Sequence, residues 1–241
     1  MSHTLAQKNT LLHIGIVGCS SEGAALCYTS ICGESSRLLG EYIHPEISMH
    51  THSLADYVEC IQRDDWEGVG EIMLSSAQKL AGIGADFLIC PDNTIHQALP
   101  FIESRSPIPW LHIAEVVALE AKKQGYQRLG LTGTRWLVES QVYPEKLLDE
   151  GLTCARPLAD EREEIGRIIM HELVHGVKKP EGIAYFQRVI ERLKEEENCD
   201  AVVLGCTEIP LIINDDNSPL PTLPSTQLLA KAALEYAIQE K

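Results

Sequence analysis

No two cysteines in the chain stand in a C-x-x-C arrangement, although there are eight, at positions 19, 27, 32, 60, 90, 154, 199 and 206. A closed zinc site, which draws its ligands from such pairs, is therefore poorly supported. Nor is there an uninterrupted apolar run of about 18 residues, the length that spans a bilayer. The first ten residues, MSHTLAQKNT, lack the basic-then-apolar pattern of a secretory leader. The expected compartment is the cytoplasm, where cysteines stay reduced and act as small buried hydrophobes. Basic residues are also scarce: 20 Lys and Arg stand against 35 Asp and Glu, a formal charge of −15. Such a chain, with its basic residues gathered in no stripe, is repelled by nucleic acid and anionic membranes. A small molecule is the expected partner.

What the chain does contain is one element written twice. Residues 87–96 (FLICPDNTIH) and 202–209 (VVLGCTEI) are each an apolar strand running into a short polar turn, with Asp92 in the first where Cys206 stands in the second. Asp86 and Asp200 share the same offset of 114 residues, Gly15/Gly130 and Gly18/Gly133 are offset by 115, and Pro109/Pro221 by 112. Strands are expected at residues 12–17 and 128–132, and Ser20, Ser21 and Glu22 can cap a helix reaching residue 39. Further helices are expected at 66–81, 114–124, 184–196 and 226–239. Strands alternating with such helices call for mostly parallel sheets with right-handed crossovers. The predicted fold is α/β, with two pseudo-symmetric, Rossmann-like open parallel-sheet lobes facing across a central cleft. One lobe is expected to comprise residues 1–114, completed by the C-terminal helix at 225–241, and the other residues 115–224.

In open α/β lobes, ligands bind off the carboxyl ends of the strands, where Ser20, Asp92, Thr134 and Cys206 fall. Two facing lobes would bring Asp92 and Cys206 together as an acid and a base on opposite faces of one carbon, the geometry for inverting it by proton transfer. Backbone N–H groups and a helix N-terminus near Cys206 are expected to lower its thiol pKa towards neutrality. Burial is expected to raise that of Asp92. Asn93, Thr94 and Thr207 supply neutral donors for a substrate carboxylate, and Ser20, Thr132 and Thr134 complete the candidate set. Cys90, which the repeat aligns with Leu204, reads as core.

The motifs GIVGCSSEG, DNTIH, PWLHIAE, GLTGT, HELVHG and GCTEIPLII, in this order, give the chain a resemblance to the aspartate/glutamate racemase superfamily, which includes hydantoin racemases, maleate isomerases and arylmalonate decarboxylases. The resemblance implies an enzyme that works without pyridoxal phosphate or another cofactor, a homodimer, and aspartate or glutamate as substrate. It makes Cys206 one of two proton-transfer residues, and makes Asn93, Thr94, Thr134 and Thr207 binders of the substrate carboxylate. The second proton-transfer position, usually cysteine, directly precedes the Asn-Thr pair and is here Asp92. Where the aspartate-specific branch needs basic residues, this chain offers His50 and His52; Val174 stands where some relatives have lysine. A single-cysteine decarboxylase or cis-trans isomerase, and a non-catalytic small-acid binding protein, are the alternatives. His171, Glu172 and His175 also satisfy H-E-x-x-H, which on a helix would hold zinc. The same stretch matches a structural helix of the racemase pattern.

Overall fold

The computed structural model describes residues 11–238. Residues 1–10, read above for a leader, and residues 239–241, the end of the expected last helix, lie outside that range. The first half runs β1 (Ile14–Gly18), α1 (Ser21–Leu39), β2 (Ile47–Thr51), α2 (Leu54–Gln62), α3 (Trp66–Gly82), β3 (Phe87–Ile89), α4 (Leu99–Ile102), β4 (Trp110–Leu111) and α5 (Ile113–Gln124). The second runs β5 (Arg128–Thr132), α6 (Arg135–Glu139), α7 (Val142–Asp149), β6 (Thr153–Ala155), α8 (Ala159–His171), α9 (Pro180–Glu195), β7 (Ala201–Leu204), β8 (Thr222–Pro224) and α10 (Ser225–Ile238). The strands form two four-stranded parallel sheets of identical order, β2-β1-β3-β4 and β6-β5-β7-β8.

The internal repeat is visible in individual hydrogen bonds. The Asp86 carboxylate accepts from the His13 backbone N–H at 2.7 Å, and the Asp200 carboxylate accepts from that of Gln127 at 2.6 Å. Each aspartate thereby ties the start of one strand to the start of its neighbour. Leu88 N–H donates to Pro109 at 2.8 Å, and Val202 N–H to Pro221 at 2.9 Å, so each proline carbonyl fixes the register of a short last strand.

Both faces of each sheet are covered, as parallel strands require. Side chains alternate across β7: Val202 and Leu204 pack with Phe186, Val189 and Leu193 of α9, while Ala201 and Val203 pack with residues of α5 and α7. Helix α9 buries Phe186, Val189, Ile190 and Leu193, the i, i+3, i+4, i+7 stripe of an amphipathic helix. It begins four residues earlier than the sequence reading placed it, because Pro180 sits at the first turn, where its missing N–H costs no hydrogen bond. Helix α10 returns to the first sheet, where Leu229, Ala230 and Ala233 join Ile14, Ile16 and Phe87 in one core cluster. Among the described residues, no helix is long and apolar enough to cross a membrane.

Candidate active site

The two polar turns emerge at the carboxyl ends of β3 and β7, and their side chains line one cleft between the lobes with a volume of about 180 Å³. Close backbone packing sets the second turn: the Gly205 N–H donates to the Thr132 carbonyl at 2.9 Å, and a Cβ on Gly205 would lie 2.7 Å from that same oxygen. Only glycine permits this approach, and it places Cys206 immediately beyond the sheet. Opposite it, the Asp92 carboxylate accepts the backbone N–H groups of Cys19 and Ser20, both at 3.2 Å, at the entrance to α1. Ser20 is the N-cap of that helix, its hydroxyl accepting from the Gly23 N–H at 3.2 Å.

The two ionisable groups are tuned by different surroundings. Burial raises the Asp92 carboxyl from 3.8 to about 6, against the opposing pull of its hydrogen bonds from Ser20 and Cys19. Cys206 departs from the sequence expectation. Its thiol is pushed well above 9.0, first by burial and then by the adjacent Glu208 carboxylate. The Cys206 Sγ–H donates to Glu208 Oε2 at 2.8 Å, and the Thr207 hydroxyl donates to the same oxygen at 2.8 Å. Glu208 is itself 7% exposed. The expected N–H donors do not outweigh a carboxylate in direct contact, so the resting thiol is protonated with a base at hand.

Of the carboxylate binders named from the sequence, Thr94 and Thr134 join the lobes directly through a hydroxyl–hydroxyl hydrogen bond of 2.9 Å, and both line the cleft. Thr134 also caps α6 by accepting from the Leu137 N–H. Ser20 and Thr207 line the cleft as well. Asn93 lies at the cleft wall, but its amide is engaged at both ends, donating to Ser225 Oγ at 3.0 Å and accepting from the Tyr143 hydroxyl at 2.7 Å. Its side chain braces the loop. Thr132 is wholly buried, and its hydroxyl donates to the Val203 carbonyl at 2.7 Å, so it tightens the β5–β7 pair and does not face the cleft.

Other polar side chains, including those singled out from the sequence, fall into structural roles. Cys90 is buried in the first core. His96 is also buried, with Nδ1 3.0 Å from the Asp92 carbonyl and Nε2 accepting the Ile113 N–H at 3.3 Å. Those contacts assign the neutral tautomer with the proton on Nδ1. His50 and His52 turn towards Ser76 and Ser75 of α3, away from the cleft. Arg135 pairs with Glu139 on the surface. The H-E-x-x-H stretch is not one helix: α8 ends at His171, residues 173–175 form a 3-10 turn, and the Glu172 carboxylate is held by Arg167 at 2.9 Å and Lys179 at 3.2 Å. That break removes the shared helical face on which the zinc reading depends.

Glu208 was absent from the candidate set, although the C-T-E run places a carboxylate two residues from the thiol. The cleft's apolar wall, including Trp136, Ile169 and Met170, was also missed.

The Asp/Glu/Hydantoin racemase family model matches residues 16–233, a span that holds both polar turns and every strand except the first two residues of β1. The chain belongs to this racemase family. A structure of a candidate Asp/Glu racemase from Yersinia pestis superposes with a TM-score of 0.88 at 29% identity, covering 95% of this chain and 100% of that one. An aspartate racemase homologue from Pyrococcus horikoshii gives a TM-score of 0.81 at 29% identity, covering 93% and 98%. The racemase described as the broad specificity amino-acid racemase RacX of Bacillus subtilis is 24% identical over 172 residues, 70% of this chain and 73% of its own length. At the matching turns of the two halves stand Asp92 and Cys206.

Proposed function

We propose that the protein is a cofactor-independent amino-acid racemase in which Asp92 and Cys206 exchange the Cα proton of a small α-amino acid across the cleft. The observation that carries this reading is a carboxyl and a thiol, projecting from matching strand ends of two lobes, each beside its own tuning group. From one face, Cys206 passes its Sγ proton to Glu208, and the thiolate takes the Cα proton. The C–H electron pair moves into the substrate carboxylate as an ene-diolate, stabilised by the one hydroxyl proton that the Thr94–Thr134 pair leaves free and by the Thr207 hydroxyl once protonation of Glu208 releases it. Protonated Asp92 then delivers its proton to the opposite face. Reversal of these steps carries the other enantiomer back. A carboxyl that titrates near 6 is available in both forms at neutral pH, as a residue that alternates between acid and base requires.

One observation favours a second reading, a decarboxylase or isomerase using Cys206 alone: two backbone amides already occupy the Asp92 carboxylate. Racemisation of single enantiomers, followed by chiral chromatography without added pyridoxal phosphate, separates the two. The two-base reading expects racemisation that is lost in both Asp92→Asn and Cys206→Ser. Turnover that survives Asp92→Asn and yields one stereochemical outcome supports the single-cysteine reading.

A further inference from the structure

The cleft is rich in carboxylates and poor in their partners. Asp92, Glu208 and Glu22 line it, and among the described residues no lysine, arginine or histidine does. Four basic side chains on the surrounding elements are committed elsewhere: Arg135 to Glu139, Arg167 and Lys179 to Glu172, and Lys79 beside His50. Closure of the lobes therefore has no free cation among these to carry inward. The mouth is built instead from apolar side chains left exposed to water. Leu54 and Val58 of α2 come from the first lobe; Trp136 of α6, Met170 of α8 and Val174 come from the second. Each is 39–48% exposed. Large apolar side chains in such number at one place on a surface mark a site that something apolar covers.

Resting on the racemase reading above, we infer that the substrate is an α-amino acid with an uncharged, apolar side chain of about the length of leucine or methionine, not aspartate or glutamate. The hydroxyl donors take the α-carboxylate, and the acidic lining complements the α-ammonium. The side chain then lies against the apolar mouth and shields it from both lobes. A second carboxylate on the substrate would enter a cleft that already holds three and would meet no cation, a burial that costs heavily. A cationic side chain would leave its ammonium against Leu54 and Val58. The Glu22 carboxylate, which also lines the cleft, already accepts from the Ser21 hydroxyl at 2.8 Å.

The test is deuterium incorporation at Cα in D2O by the wild-type protein. Both enantiomers of leucine, methionine and norleucine are compared with those of aspartate, glutamate, lysine and arginine. The proposal expects exchange of the apolar set at least about tenfold faster than of either charged set, the discrimination that a few methylenes can produce. Val58→Lys and Val174→Lys, each at an exposed position, are expected to slow the apolar set and accelerate aspartate or glutamate. Faster exchange of the acidic or the basic amino acids by the wild type overturns this inference while leaving the racemase reading intact. Exchange of none of them overturns the racemase reading, and this inference with it.

Discussion

The Cys206 thiol donates to Glu208 across 2.8 Å, and that contact makes the sulfur a resting acid, not a resting nucleophile. If Glu208 both raises the thiol pKa and accepts its proton in turnover, Glu208→Gln divides the two effects. Alkylation of Cys206 by iodoacetamide at neutral pH is expected to become faster, because the neighbouring charge is gone. Racemisation is expected to fall by about 10² to 10⁴, the usual contribution of a positioned proton acceptor. Mass spectrometry of the alkylated peptide alongside chiral turnover checks both. A parallel fall in both rates would show that Glu208 only shapes the turn.

Asp92 predicts a pH dependence confined to one face of the substrate. Only its ionised form can abstract a proton, and burial holds its carboxyl near 6. Exchange of the enantiomer that presents its Cα–H to Asp92 should rise about tenfold per pH unit below that value and level off above it. Deuterium exchange of that enantiomer between about pH 4 and 9 reads the profile, and a rate flat across pH 6 would contradict Asp92 as its base.

How much of this could be read from the chain alone differs by element. The double fold was legible because Asp86/Asp200 and Pro109/Pro221 each impose a specific backbone contact, and residues with such duties keep their spacing in both halves. The positions of Asp92 and Cys206 followed from the same spacing. The state of the thiol did not follow, since it depends on how the turn at 206–208 folds a carboxylate back onto sulfur. Thr132 misled because a threonine at a strand end faces either the cleft or the neighbouring strand, and only packing decides. The apolar mouth was hidden for a different reason: its side chains come from three helices and a short turn far apart in sequence.

Stability should carry the signature of His96. Its folded value of about 4 lies below the ordinary 6.5, because burial disfavours the charged ring. The unfolded chain therefore binds a proton that the native state refuses. His96 contributes stability above pH 6.5, and that stability is lost as pH falls through about 4. Replacing it by Ala leaves the Ile113 N–H and the Asp92 carbonyl unpaired, at a cost of about 1–3 kcal/mol each. Urea denaturation at several pH values should show a lower midpoint for His96→Ala at neutral pH and a shallower loss on acidification than in the wild type.

Gly23 marks the contact between the two halves of the site. A Cβ there would lie 2.7 Å from Ser20 Oγ, 3.1 Å from Thr207 Cγ2 and 3.6 Å from Asp92 Oδ1. Within a helix, Gly→Ala ordinarily stabilises by up to about 1 kcal/mol. Here Gly23→Ala is expected to fold and yet lose turnover by about 10²-fold, through sub-ångström displacement of the turns that carry the reacting groups. Circular dichroism paired with chiral assay separates this outcome from simple unfolding.

The central claim, proton transfer between two unlike bases, is tested most directly by following one enantiomer of a turned-over amino acid in D2O at early times. A carboxyl and a thiol each hold a single exchangeable proton. The account therefore predicts deuterium at Cα of the newly formed enantiomer and none in the recovered starting enantiomer. Deuterium appearing in the recovered enantiomer while no inverted product forms would contradict it, leaving a single base acting on one face.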